Sequence, residues 1–72
     1  MMNDRDRELL TGMGNCYEAC HEDFESTVGM VSSSRRRTSD EVKQTLARLR
    51  MEFGRDPEYQ ALRGRLPAEF PF

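Results

Sequence analysis

The most regular hydrophobic pattern of the chain lies in its first half. Apolar or small side chains recur there at alternating steps of three and four residues: Leu10, Met13, Tyr17, Cys20, Phe24, Thr27 and Val31. This spacing places them on one face of an α-helix and is typical of a packed helical seam. Asn3 or Asp4 can cap such a helix at its N-terminus. The pattern therefore predicts a first helix over residues 4–31.

Two glycines fall inside this predicted helix. Gly12 and Gly14 each cost about 0.8 to 1 kcal/mol relative to alanine in a helix interior. One interpretation is a break near Gly14 with a new cap at Asn15, and the other is a small-residue groove of Gly12, Cys16 and Cys20 that serves packing. We favour a continuous helix, with or without a kink, because the seam crosses the glycines without a change of phase.

The second half begins with a polar connection over residues 32–38, which contains a serine run and an arginine run but no apolar periodicity. Thr38 and Glu41 then have the spacing of a capping box, in which each side chain satisfies a free backbone amide. The box predicts a second helix over residues 39–53. Its apolar face consists of Val42, Leu46, Leu49 and Phe53.

Gly54 is placed to end this second helix as a left-handed cap. Asp56 can cap another helix, and Pro57 suits a first helical position, so a short third helix is predicted over residues 57–65. The remaining tail, residues 66–72, contains two prolines and is predicted to be non-helical. We expect its two phenylalanines to dock on the chain's own core or on another subunit.

The predicted helices form two arms of nearly equal length. The first helix has about 28 residues and the other two span about 27, which at about 1.5 Å per residue indicates a helical hairpin. A single hairpin leaves apolar edges in water, and a core this small supplies only about 3 to 5 kcal/mol. We therefore expect an all-α protein, one small domain over residues 1–72, that pairs as a homodimer into a four-helix bundle.

Composition and charge add two constraints. No segment approaches the roughly 18 apolar residues of a membrane span, and the N-terminus lacks the apolar core of a signal peptide. Two cysteines allow at most one disulfide, so we expect a cytoplasmic protein with reduced thiols. Residues 1–31 carry seven acids and two bases, whereas residues 35–65 carry nine bases and five acids. The two arms are therefore complementary in charge.

One candidate metal site lies in the first helix. Cys16 and Cys20 are one turn apart with His21 beside them, and Glu18 with His21 has the Glu-x-x-His spacing of bundle di-iron sites. A zinc site needs four ligands, however, and the chain offers a single cysteine pair. The simpler interpretation is a small core cysteine, and metal or redox chemistry is kept as an alternative function.

A second alternative is nucleic-acid binding by the basic second arm. Its candidate residues are Arg35, Arg36, Arg37, Arg48 and Arg50. A stripe of arginines can contact a phosphate backbone. The calculated pI of about 5.3 and the acidic first arm argue against this function.

Catalysis is not expected, because no nucleophile, base and orienting acid can be assembled and no glycine-rich phosphate loop is present. We expect no cofactor. The favoured function is a regulator, inhibitor or adaptor that binds a partner protein through an apolar helix face. The candidate contact residues are Met13, Tyr17, Phe24, Phe70 and Phe72. The same five side chains are equally compatible with a structural core.

Overall fold

Capping residues set the helix boundaries in the computed structural model, which describes all 72 residues. The chain forms four α-helices and no strand: α1 (Asp4–Cys20), α2 (Phe24–Ser34), α3 (Ser39–Phe53) and α4 (Pro57–Arg63). α1 packs against each of the other three helices, and α2 also packs against α3. The predicted all-α class is confirmed.

The single first helix predicted over residues 4–31 is wrong, because two helices occupy that range. α1 ends where His21 adopts the left-handed conformation (φ 50°, ψ 37°) and donates its backbone N–H to the Tyr17 carbonyl. Asp23 then caps α2 by accepting a hydrogen bond from the Ser26 amide at 2.8 Å. An aspartate at this position competes with helix continuation, and the polar residues around it gain nothing from burial.

This break gives one chain four helices instead of three. α2 folds back on α1, and four residues of the seam become buried within the chain: Leu10, Met13, Thr27 and Val31. The expected pairing of two chains into a dimeric four-helix bundle stays a prediction.

α1 continues through Gly12 and Gly14, which confirms the continuous helix that the unbroken phase of the seam predicted at the glycines. They lie beneath arginine side chains instead of forming an open groove. A Cβ on Gly12 would lie 3.0 Å from Nη2 of Arg35, and a Cβ on Gly14 would lie 3.1 Å from Cζ of Arg65. Each glycine therefore permits close approach of a guanidinium group to the helix backbone.

The second arm follows its local signals closely. α3 has the predicted bounds 39–53, and both halves of the Thr38–Glu41 capping box are present. Gly54 is not the left-handed cap expected, because it stays in the right-handed helical region (φ −54°, ψ −26°). α4 begins at Pro57 as predicted but ends two residues before the expected boundary.

One hydrophobic cluster joins all four helices and the tail. Its members are Met2, Leu9, Leu10, Met13, Val28, Val31, Val42, Leu46, Leu49, Tyr59, Leu66, Phe70 and Phe72. The two tail phenylalanines thus dock on their own chain, which was one of the two expected outcomes. Burial of each is worth about 1.5 to 3 kcal/mol.

Ion pairs across the helix interfaces follow the charge complementarity of the two arms, except Arg7–Glu58, whose base lies in the first arm. The pairs that link distant parts of the chain are Arg7–Glu58, Arg35–Glu8, Lys43–Glu25, Arg48–Asp6 and Arg65–Glu18. None of the helices combines the length and the apolar character needed to cross a bilayer.

Candidate docking site: an aromatic cup with an acidic rim

A cavity of about 410 Å³ opens where the end of α1, the start of α2 and the tail meet. Its walls, here called the aromatic cup, consist of Tyr17, His21, Phe24, Pro67, Phe70 and Pro71. Three carboxylate side chains, here called the acidic rim, complete the lining: Glu22, Asp23 and Glu69. The site is therefore aromatic inside and acidic at its edge.

The turn at His21 creates the cup, because it separates Tyr17 and Phe24 onto two helices that both face the tail. The ring of Phe70 lies between them, with centroids 5.5 Å from Tyr17 at an interplanar angle of 87° and 5.5 Å from Phe24 at 72°. The His21 ring meets Tyr17 edge-on at 5.4 Å. Edge-to-face pairs add about 0.5 to 1.5 kcal/mol each beyond burial, so the walls are held in place by one another.

Arg63 of α4 fastens the tail that carries Phe70. Its Nη1 donates to the carbonyls of Leu66 (3.3 Å) and Pro67 (3.0 Å), and its Nη2 donates to those of Phe70 (3.1 Å) and Phe72 (3.3 Å). Its guanidinium carbon also lies 4.2 Å from the Phe72 ring centroid. A planar fork of donors suits several carbonyls at once, which gives the irregular tail a defined conformation.

The acidic rim is not neutralised within the chain. Asp23 accepts the backbone amide of Ser26, and this hydrogen bond lowers the pKa of the Asp23 carboxyl. Glu22 and Glu69 take part in none of the chain's ion pairs. Glu18 differs, because Arg65 neutralises it with two hydrogen bonds of 2.9 Å. The acidic rim thus places carboxylates beside an aromatic surface, and no cation of the chain neutralises them.

The structure brings together four of the five residues predicted to contact a partner. Tyr17 and Phe24 line the cavity and are half-buried, whereas Phe70 lines it with only 7% of its surface exposed. Phe72 lies behind Phe24, with their ring centroids 6.0 Å apart. Met13 is fully buried in the hydrophobic cluster, so it does not lie on an outer edge as expected. The fold-back of α2 onto α1 is the physical reason.

The side chains of the metal alternative do not converge. Glu18 is bound to Arg65, the His21 ring packs on Tyr17, Cys16 is half-buried and Cys20 is exposed. Cys20 is therefore not the seam residue that its spacing indicated, because the turn at His21 ends the helix beside it. No group of three or more histidine, cysteine or acidic side chains is arranged to hold a metal ion.

Two of the five arginines of the nucleic-acid alternative are engaged within the fold. Arg35 donates to the Glu8 carbonyl at 2.8 Å and lies 3.7 Å from the carboxylate of that residue. Arg48 donates to the Asp6 carboxylate at 2.8 Å, and this hydrogen bond raises the pKa of Arg48.

The other three arginines do not share one face. Arg36 is exposed and has a positive φ of 54°, and Arg37 opens onto a second cavity. Arg50 follows Arg48 by two residues, which is about 200° around a helix, so the two point to different sides of α3. A continuous basic stripe along the second arm is therefore absent.

The acidic rim, the tail prolines and Arg63 were not identified as site residues from the sequence. The spacing of Asp23 and Ser26 is a helix start signal that could have indicated the break in the first half. No local signal places residues 66–72 over the end of α1, because that contact joins segments about 50 residues apart along the sequence.

No protein-family model, curated protein or solved structure matches this chain.

Proposed function

We propose that this chain is a small non-enzymatic binding protein that docks a basic segment of a partner protein in the aromatic cup. The observation that supports this function is the cup itself: a cavity of about 410 Å³ with aromatic walls and a rim of carboxylates that have no cation. In this proposal the protein acts as a regulator, inhibitor or adaptor of its partner. Both cysteines are free, which supports a cytoplasmic location for it.

The chemistry of the cup favours an arginine or lysine side chain as the inserted group. The aliphatic stem of such a residue packs against aromatic and proline surface while its charged end stays near water. A cation over an aromatic face gains about 0.5 to 2 kcal/mol, depending on how far it is desolvated. The rim carboxylates add charge-assisted hydrogen bonds that an apolar or acidic side chain cannot form.

The aromatic cup is also preformed, because contacts within the chain alone hold its walls. Phe70 is clamped between Tyr17 and Phe24, and Arg63 holds the tail behind it. A rigid surface of this kind avoids part of the entropy cost of ordering side chains on binding.

Site-specific photocrosslinking in the native cell tests the proposal. Tyr17 is replaced by a photoreactive phenylalanine derivative, which keeps an aromatic ring at a half-exposed position. The control carries the same group at Met51, which is 87% exposed on α3. We expect a partner protein crosslinked from position 17 and not from position 51, through a peptide that contains arginine or lysine. Equal products from both positions, or only a second copy of this chain, would reject the proposal.

Charge variants of the rim provide the matched comparison. Glu22→Gln with Glu69→Gln removes two rim charges that no internal cation neutralises, so the fold is expected to be unaffected. Asp40→Asn with Glu52→Gln removes the same charge from α3 and also breaks the exposed Arg48–Glu52 ion pair, which contributes about 0.3 to 0.5 kcal/mol. The crosslink from position 17 should fall in the rim variant and persist in the α3 variant. Equal yields in both variants would show that the acidic rim does not select the partner.

A further inference from the structure

A second cavity, of about 490 Å³, lies at the other end of α1. It opens between the first turn of α1 and one flank of α3, and its eight lining residues include no hydrophobic one. Arg5 of this cavity and Tyr17 of the cup are separated by about 18 Å along the helix axis, at about 1.5 Å per residue. The two cavities are therefore separate features of the surface.

The two acids of this polar cavity are already engaged in the fold. Asp6 is only 6% exposed, and its carboxylate accepts a hydrogen bond from Nη2 of Arg48 at 2.8 Å. Glu41 accepts from the backbone amide of Thr38 at 3.0 Å and from its hydroxyl at 3.1 Å. The bond from the Thr38 amide lowers the pKa of Glu41, so this carboxylate stays ionised and directed at the helix cap.

Two arginines of the cavity have no such partner. Neither Arg5 nor Arg37 takes part in an ion pair of the chain. Arg5 lies on α1 and Arg37 lies in the connection before α3, yet both line the cavity together with Glu41. The fold thus brings two guanidinium groups from different elements to one polar cavity without neutralising them.

We propose that this cavity binds a diphosphate group, with Arg5 and Arg37 each contacting one phosphate. The guanidinium fork matches the oxygens of a phosphate in a bidentate fashion, and two forks from separate elements suit two linked phosphates. Gln44 lines the same cavity and can donate from its side-chain amide, whereas the Thr45 hydroxyl already donates to the Glu41 carbonyl at 2.9 Å.

The surroundings distinguish a small anion from a nucleic acid. A polymer backbone needs cations along its length, whereas Arg48 is paired with Asp6 and Arg50 lies on another side of α3. No aromatic or apolar side chain lines the cavity, so a base or sugar has no surface to pack on. The cavity is therefore expected to recognise the diphosphate group and no other part of a ligand.

Titration of the ¹⁵N-labelled chain with inorganic pyrophosphate at constant ionic strength tests this site. We expect saturable shifts at Arg5, Arg37, Gln44 and Thr45. Arg5→Gln with Arg37→Gln should raise the Kd about tenfold or more. Arg50→Gln with Arg55→Gln removes the same charge elsewhere and should change the Kd by less than about twofold. Because none of the four replaced side chains forms an ion pair, both double variants should melt as the parent does.

Two further ligands decide the source of the phosphate. ADP should bind within about threefold of pyrophosphate, since no ring surface is offered to its base. The proposal is overturned by the absence of saturation, by equal loss in both double variants, or by a preference of about tenfold or more for ADP. It is also overturned if a single-stranded oligonucleotide binds more tightly than pyrophosphate and loses affinity in the Arg50 and Arg55 variant.

Discussion

Replacement of Arg63 by methionine removes the group that ties the tail to α4 while keeping an apolar stem. Four backbone carbonyls of the tail lose a donor, and the Phe72 ring loses the guanidinium 4.2 Å from its centroid. Phe70 and Phe72 themselves are untouched by this change. The variant therefore separates the contribution of the Arg63 contacts from that of the docked phenylalanines.

The geometry sets the size of the effect. The bonds to Pro67 and Phe70, at 3.0 and 3.1 Å, are worth about 1 kcal/mol each, while the two bonds of 3.3 Å contribute less. The contact with Phe72 adds about 0.5 to 1 kcal/mol at a partly exposed position. We expect a loss of about 2 to 3 kcal/mol in the free energy of unfolding. For a domain of this size that corresponds to a Tm lower by about 10 to 20 °C.

Urea unfolding followed by circular dichroism measures this loss. The matched control is Arg55→Met, because Arg55 is exposed and takes part in none of the chain's ion pairs. Arg63→Lys keeps the charge without the planar fork and should fall between the parent and Arg63→Met. Hydrogen exchange at the Phe70 amide, which is bonded to the Pro67 carbonyl, should accelerate in Arg63→Met.

The stabilising role of Arg63 is refuted if the free energies of unfolding of Arg63→Met and Arg55→Met differ by less than about 0.5 kcal/mol, the usual scatter of surface substitutions. In that case the tail docks through its phenylalanines alone, and the cup does not depend on α4.

Three other measurements test the packing, the caps and the thiols. A Cβ on Gly29 meets open space, so Gly29→Ala should raise the free energy of unfolding by about 1 kcal/mol. Gly14→Ala should raise it by less, because its Cβ meets the Arg65 side chain, which is bound to Glu18. Equal gains in urea unfolding would contradict this packing. The hydrogen bond from the Thr38 backbone amide lowers the pKa of Glu41 below its ordinary value of 4.5. Ionised Glu41 therefore stabilises the fold fully above that value, and this stabilisation is lost as the pH falls through the pKa of the folded state. Acid unfolding of Glu41→Gln should accordingly depend less on pH, and identical slopes would show that the box is not formed. Cys20 is exposed and Cys16 half-buried, so a thiol reagent should label Cys20 first, and faster labelling of Cys16 would place the end of α1 elsewhere.

Short-range signals in the sequence determined the second arm of this protein. The bounds of α3 follow from Thr38, Glu41 and a regular apolar face, and the start of α4 follows from Asp56 and Pro57. Each of these signals involves residues within one or two turns of one another. Local backbone hydrogen bonds and rotamer preferences suffice to form them, whatever packs outside.

Tertiary contacts decided how the two helices of the first arm pack and where the site lies. The seam of the first half remains in phase across His21, so periodicity alone does not reveal that α2 turns back and buries Met13. The fastening of the tail by Arg63 joins a helix to an irregular segment that has no pattern of its own. Such contacts depend on which surfaces meet in three dimensions, because burial and ion pairing act between residues that are distant in sequence. The sequence alone determined the two helices of the second arm, whereas only the fold decided how the first half divides and where the aromatic cup, its acidic rim and the arginine cavity lie.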